Sequence, residues 1–274
     1  LFGKTFRNII QEQKKASSYY IQDESIIDEI RQDNKDYVSQ LAFLSEEGYP
    51  FYRNTVFEYY APCENGFDVM LEELQKAEKY IFMEYFIIEE GFMFNSILSI
   101  LEEKVKQGVE VRVMYDDMGS LGTLPASYAR QLEKKGIKAV SFNRISPIIN
   151  TIMNHRDHRK IMVIDGKVAF SGGANLADEY INKKVKYGHW MDNIICIKGK
   201  AVWSYLVMFL TNWNALRHED EDYTVFKSEN IEDETLYDGY IAPYAETPLD
   251  EELTGQSVYE DLLNSANKYV YIMT

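Results

Sequence analysis

The chain has 274 residues, 46% hydrophobic and 14% aromatic, enough to bury a sizeable core in one large or two ordinary domains. A net charge of −15, from 29 basic and 44 acidic residues, excludes a surface-wide footprint for nucleic acid, which needs a Lys/Arg surplus, but it leaves room for a local basic pocket. Two distant cysteines, Cys63 and Cys196, give no disulfide framework and no zinc ribbon and fit a reducing compartment; no apolar run of 18 residues and no signal peptide is visible.

Residues 5 to 47 are charged, with apolar residues at helical spacing (Ile26, Ile27, Ile30, Val38, Leu41, Leu44), and read as two helices or a partly ordered arm. From about Thr55 the pattern alternates: helix 67–78, strand 79–88, helix 94–107, strand 109–116, helix 125–135 and strand 137–142. Gly108 and Gly136 stand where helices end. The runs IFMEYFII and VEVRVMY are nearly continuous in apolar residues, as in strands covered on both faces, and the alternation predicts an α/β fold. Asp116 and Asp117 follow the second of these strands, where α/β sheets place ligands; two acids opening a loop serve equally as caps.

The stretch HRDHRKIMVIDGKVAFSGGANLADEY (155–180) carries the chemistry. Asp165-Gly166 between IMVI and KVAF is a two-residue hairpin signal, so strands 158–164 and 167–173 should pair with Lys160 opposite Ser171 and His158 opposite Gly173. That register puts an imidazole and an ammonium over a floor of small residues, Ser171 and Gly173, with the Asn175 amide just beyond. Lysine supplies a point charge, asparagine and backbone N–H groups directional bonds, and histidine a nucleophile or acid/base near neutral pH, a set suited to a phosphate. Asp165 falls on the other face by its spacing and reads as a turn-former and local anchor. His155 and His158 lack the further ligands a zinc site needs, and His189 and His218 read as structural or surface residues.

Two longer-range features complete the reading. FDVMLEELQKAEKYIFMEY (67–85) can be laid over QSVYEDLLNSANKYVYIMT (256–274), with Ala61-Pro62 ahead of one copy and Ala242-Pro243 ahead of the other, which suggests an internal repeat. Between the copies, 217–240 is strongly acidic and reads as a solvated linker. The start at Leu1-Phe2-Gly3 without methionine, and the stop at Tyr271-Ile272-Met273-Thr274 inside a strand-like run, predict a longer chain on both sides.

His158, Lys160 and Asp165, followed by Gly172-Gly173 and Asn175, resemble the HKD motif of the phospholipase D superfamily. Asn154, Arg156, His158-Arg159-Lys160, Gly172-Gly173-Ala174-Asn175, Asp178-Glu179-Tyr180, Gly108 to Arg112, Tyr115-Asp116 with Gly119-Ser120, and Trp190 with Asp192 resemble its bacterial cardiolipin synthase branch. The resemblance runs from about Asn54 to the C-terminus.

It implies a mixed sheet flanked by helices, forming the first half of a pseudo-twofold bilobal enzyme. The implied organisation is a helical arm over 1–53, a catalytic domain over 54–216, the linker over 217–240 and the start of a second repeat over 241–274. It further implies catalytic roles for His158, Lys160 and Asp165, phosphate binding by Asn175, Gly172 and Gly173, and a histidine-orienting acid in Asp192. The implied chemistry is phosphatidyl transfer between two phosphatidylglycerol molecules through a phosphohistidine, with no metal or cofactor and no nucleic acid partner. The implied setting is the bacterial cell membrane, with the catalytic domain on the cytoplasmic side and Leu1–Gly3 leaving a membrane helix. The sequence holds one such motif; mapping Ile81 onto Val270 puts a second motif histidine near residue ~347, in a further half of the chain or, failing that, in a homodimer partner. Two other readings stand beside it: a single-motif phosphodiesterase, phospholipase or nuclease, acting as a dimer, and an inactive domain that only binds partners.

Overall fold

The computed structural model describes residues 4–33, 38–144, 156–186, 188–229, 239–246 and 253–272. Leu1–Gly3, Asn154, His155, 230–238 of the acidic tract and Met273-Thr274, all used in the sequence reading, lie outside the described residues.

Seven strands form one mixed sheet: β1 (Thr55–Tyr60), β2 (Tyr80–Tyr85), β3 (Glu110–Asp116), β4 (Lys138–Phe142), β5 (Lys160–Ile164), β6 (Val168–Gly172) and β7 (Ile194–Gly199), in the order β1-β7-β6-β5-β2-β3-β4. β2, β3 and β4 run parallel, and α5 (Phe92–Lys106) and α6 (Tyr128–Lys134) make the crossovers between them. β5 joins β2 antiparallel and starts the meander through β6 and β7 to the edge strand β1. The predicted α/β alternation is present, each element within a few residues of its expected bounds, with α4 (Glu64–Lys76) preceding β2.

Alternation along the strands divides the core in two. Ile81, Met83, Met162, Ile164 and Phe170 pack under Phe67, Leu74, Ile97 and Leu101 of α4 and α5. Phe82, Ile161, Val163, Ala169 and Ile197 face the other way, against Leu206, Phe209, Leu210 and Trp213 of α7 (Val202–Arg217). α7 is buried almost all round because α1 (Lys4–Ala16) lies along its outer side, setting Phe6 and Ile9 against Phe142 and Ala215. The arm continues into α2 (Glu24–Asp33) and α3 (Val38–Glu46), so the described part of 1–53 holds three α-helices where the spacing suggested two.

The acidic tract departs from the sequence reading. Tyr223 is fully buried, its ring stacked on Tyr19 at 4.4 Å, and Glu221 makes a bidentate pair with Arg112 (2.6 and 2.8 Å). Arg112 is buried in mid-sheet between the rings of Phe82, Trp213 and Phe226, with Glu110 and, at 3.9 Å, Glu219 as further partners. Residues 219–226 are thus a packed strap: a buried guanidinium needs carboxylates, and the tract supplies them. Further on, α8 (Thr254–Ser265) coincides with the helical part of the second repeat copy, and Tyr269 to Ile272 after it are exposed and outside any strand.

Candidate active site

The hairpin holds the first correction to the expected site. Asp165 and Gly166 both have positive φ (53° and 66°), and the Lys167 N–H donates to the Ile164 carbonyl, closing the tight turn that Asp-Gly signalled. The ladder, however, pairs Ile164 with Val168 and Met162 with Phe170, one residue out of the two-residue register. Carried to the start of β5, this puts Lys160 beside Gly172, and it moves Ser171 to the opposite face, where its hydroxyl donates to the Lys160 carbonyl (3.0 Å).

His158 precedes β5 and is exposed, its ring centroid 4.8 Å from that of Phe86. Its neighbours are pinned. Asp116, fully buried at the end of β3, accepts from Met118 N and Gly119 N in its own loop, from Arg156 Nη1 (3.1 Å) and from Asp157 N (3.1 Å). Asp116 is thus a cap and also a structural anchor for the residues just before the histidine. Lys160 is buried, and its ammonium donates to the His158 carbonyl (2.6 Å), so the motif lysine also fixes the histidine backbone.

The electrostatics of this pair favour nucleophilic chemistry. Burial lowers the His158 pKa below its ordinary 6.5, the Lys160 charge lowers it further, and Asp157 and Asp116 oppose both. A neutral imidazole, the nucleophilic form, is therefore dominant at neutral pH. Burial also brings Lys160 down to about 8, against the charges of Asp157 and Asp192. Such a lysine is short of charged partners and suited to an incoming anion.

Of the remaining expected residues, Gly172, Gly173 and Asp192 lie near Lys160, whereas Asp165 does not. A Cβ on Gly173 would overlap Asp192 Oδ1, and one on Gly172, where φ is +132°, would lie 2.6 Å from the Asn193 carbonyl oxygen. The two glycines are small because the lead-in to β7 presses on them, and the N–H groups of Gly173 and Ala174 donate to Asn193 O, which takes them from a phosphate cradle. Asp192 is held over Gly173 and accepts from Asn193 N; its charge is felt at Lys160. The Asn175 amide is mostly used internally, accepting from Ile87 N (2.9 Å) and donating to Tyr180 Oη (2.8 Å), which leaves one amide hydrogen. Asp165 sits at the far end of β5, where its carboxylate accepts from the N–H groups of Glu78, Lys79 and Tyr80, each at 2.8 Å.

The segment after β6 is laced to the loop after β2. The Leu176 N–H donates to Ile87 O, Glu89 N–H to Leu176 O, and Asp178 caps α5 by accepting from Phe92 N and Met93 N. A cavity of about 660 Å³ opens beside His158, Lys160 and Gly172, walled by Tyr20 of the arm, Tyr205 of α7 and Tyr244. Sequence reasoning missed this wall, because nothing local in residues 4–20 says that they fold back over the site. It also missed Glu84, Asp157 and Arg159 behind the histidine; the signal available was a glutamate in the middle of the apolar run IFMEYFII.

Comparisons with known proteins give the family. Residues 70–207 match the sequence profile of a family described as cardiolipin synthase, phospholipase D-like domain. An uncharacterized protein of Streptococcus mutans is 45% identical over 99% of this chain and 59% of its own length. Cardiolipin synthases of Oceanobacillus iheyensis and Staphylococcus aureus are 31% and 33% identical, over 81% and 78% of this chain and 46% and 43% of theirs. The chain spans about half the length of the curated relatives it matches. Among solved structures, the phospholipase D family member Nuc of Salmonella typhimurium is matched over 59% of this chain and 95% of its own, at 20% identity and a TM-score of 0.45. The family profile covers just over half of the residues, and by that match this chain belongs to the cardiolipin synthase, phospholipase D-like domain family.

Proposed function

We propose that this chain is the first catalytic half of a phosphatidyltransferase that joins two phosphatidylglycerol molecules into cardiolipin. The observation that carries the reading is an exposed imidazole beside a buried, partner-poor ammonium, in a chain of this family. In the proposed reaction an imidazole nitrogen of His158 attacks the phosphorus of one phosphatidylglycerol, and the phosphorus–oxygen bond to the headgroup glycerol breaks. Lys160, with the remaining Asn175 hydrogen, steadies the charged phosphoryl oxygens. The glycerol oxygen takes a proton from a second histidine, supplied by the further half of the longer protein or by a second copy, and glycerol leaves. The hydroxyl of a second phosphatidylglycerol gives its proton to that histidine and displaces His158 from phosphorus. The lipid substrates set this chemistry at the bacterial cell membrane, on its cytoplasmic side; among the described residues no helix is long and apolar enough to cross a membrane.

The test is the full-length protein in mixed micelles of detergent and phosphatidylglycerol. Cardiolipin and glycerol in equal amounts, with an acid-labile phosphohistidine and both lost in His158→Ala, is the expected result. Phosphatidic acid without cardiolipin would make water the acceptor and favour the phosphodiesterase reading. No turnover and no trapped intermediate would leave a binding domain.

A further inference from the structure

Glu84 lies in the middle of β2, paired between Ile161 and Met114, with no exposure to solvent. Its Oε1 accepts from Arg159 Nη2 (2.7 Å) and from Asn212 Nδ2 of α7 (2.9 Å). Its Oε2 is buried with no N–H or O–H directed at it, the guanidinium of Arg159 that binds Oε1 also binds the Asp157 carboxylate, and the Asp157 charge reaches the Glu84 carboxyl. Asp157 in turn accepts from the backbone N–H and Nε of Arg159 (3.2 and 3.1 Å). Two ionised carboxylates facing each other in a buried site, with one guanidinium between them, would leave an uncompensated negative charge. One proton turns that repulsion into an O–H···O⁻ bond and makes the layer neutral.

We propose that Glu84 carries this proton and donates it in a hydrogen bond to ionised Asp157, and that the pair, closed by Arg159 and Asn212, positions His158 from behind and holds a fixed negative charge next to it. His158 is the residue between Asp157 and Arg159, so alternation turns its ring away from the layer that locks both neighbours. The charges reaching His158 are Asp157, Asp116 and Lys160; those reaching Glu84 are Arg159 and Asp157, and the Tyr20 hydroxyl of the arm lies on the Arg159 side. Burial raises Glu84 well above its usual range, with Arg159 opposing and Asp157 adding to the rise. Asp157 is held below its usual range against burial, by Arg159 and by the Glu84 bond. The inference rests on the nucleophilic reading of His158 for its importance, and its test is independent of turnover.

A glutamine amide at position 84 reproduces the pattern of a protonated glutamate, N–H toward Asp157 and C=O toward Arg159 and Asn212. In this chain, His158 is titrated by NMR, its signal assigned by loss in His158→Ala. The expected midpoint in Glu84→Gln stays with the native one, Asp157→Asn lowers it by about half a unit or more because a raising charge is gone, and Glu84→Leu moves it. Equal shifts in Glu84→Gln and Asp157→Asn, or no shift in either, would overturn the proposal. A second measurement needs only the mild variant. Above pH 4.5 the unfolded chain releases the Glu84 proton while the folded chain retains it, so the native fold loses stability relative to Glu84→Gln as pH rises. The urea midpoint of the native chain should fall relative to that of Glu84→Gln from pH 4.5 toward neutrality, and a difference independent of pH sinks the shared proton. Failure of full-length enzyme to make cardiolipin would reject the phosphatidyltransferase reading and leave both of these results standing.

Discussion

At the scale of single residues, Lys160 and Gly173 show why a motif letter and its role differ. Lys160 has the chemistry its position implies, but its pKa is brought down to about 8 by burial, so its charge is conditional. Between pH about 8 and 10.5 the folded chain has released a proton that the unfolded chain still binds, so stability should rise with pH across that window. Urea midpoints of the native chain and of Lys160→Met, whose curve lacks that rise, check the sign. Affinity for inorganic phosphate should fall over the same range and persist in Lys160→Arg, as calorimetry would read. Gly173 was expected as floor for a ligand, whereas the structure gives it to the Asp192 carboxylate. Gly173→Ala should therefore destabilise by about 1–3 kcal/mol, as overpacking does, in thermal or urea unfolding of the chain without ligand.

Among the elements, the β5–β6 hairpin connects the turn to the site along one five-residue strand. Asp165 closes the turn and accepts three backbone N–H groups where β2 begins, fixing the slide of β5 along β2. That slide decides whether Asp157 and Arg159 meet Glu84, and hence where His158 points. Asp165→Ala loses charge-assisted bonds and puts a non-glycine residue without a local side-chain acceptor at φ 53°, and should cost about 3 kcal/mol. Asp165→Asn, which tolerates that conformation and keeps an acceptor, should cost less. The NMR environment of the His158 ring should shift in Asp165→Ala, where that slide is released, and stay closer to native in Asp165→Asn; an unchanged ring in Asp165→Ala would reject the anchoring role. The one-residue register error has a physical origin: Asp-Gly specifies the tight turn, but the ladder is set by the pairing of Phe170 and Val168 with the α4–α5 core, which local sequence does not encode.

For the molecule as a whole, the described part of the arm and residues 219–226 of the acidic tract belong to the α7 side of the sheet. Arg112, central in β3, is neutralised by Glu110 of its own strand and by Glu221, more than a hundred residues away. Arg112→Met keeps the bulk between Phe82, Trp213 and Phe226 but takes the guanidinium from Glu221, while Glu110 keeps Lys138, and should cost about 3 kcal/mol. Hydrogen exchange should then rise first in 219–226, the segment that the guanidinium holds. The wall that Tyr20 contributes to the cavity beside His158 depends on the same packing, since α1 reaches the site only by lying along α7.

The sequence alone determined the α/β alternation and the Asp-Gly turn, because hydrophobic period and turn chemistry act over a few neighbours, and it named candidate site residues. His158, Lys160, Gly173 and Asn175 could be named from spacing, and Gly172 and Asp192 from the family resemblance. The tertiary structure decided what each of them does. Packing between segments far apart in the chain gave the glycines to Asp192 and Asn193, most of the Asn175 amide to Ile87 and Tyr180, and the carboxylates of the acidic tract to Arg112. It also put Glu84, Asp157, Arg159 and Asn212 in one layer behind the histidine, since the partner of a buried charge is fixed by three-dimensional proximity and not by distance along the chain.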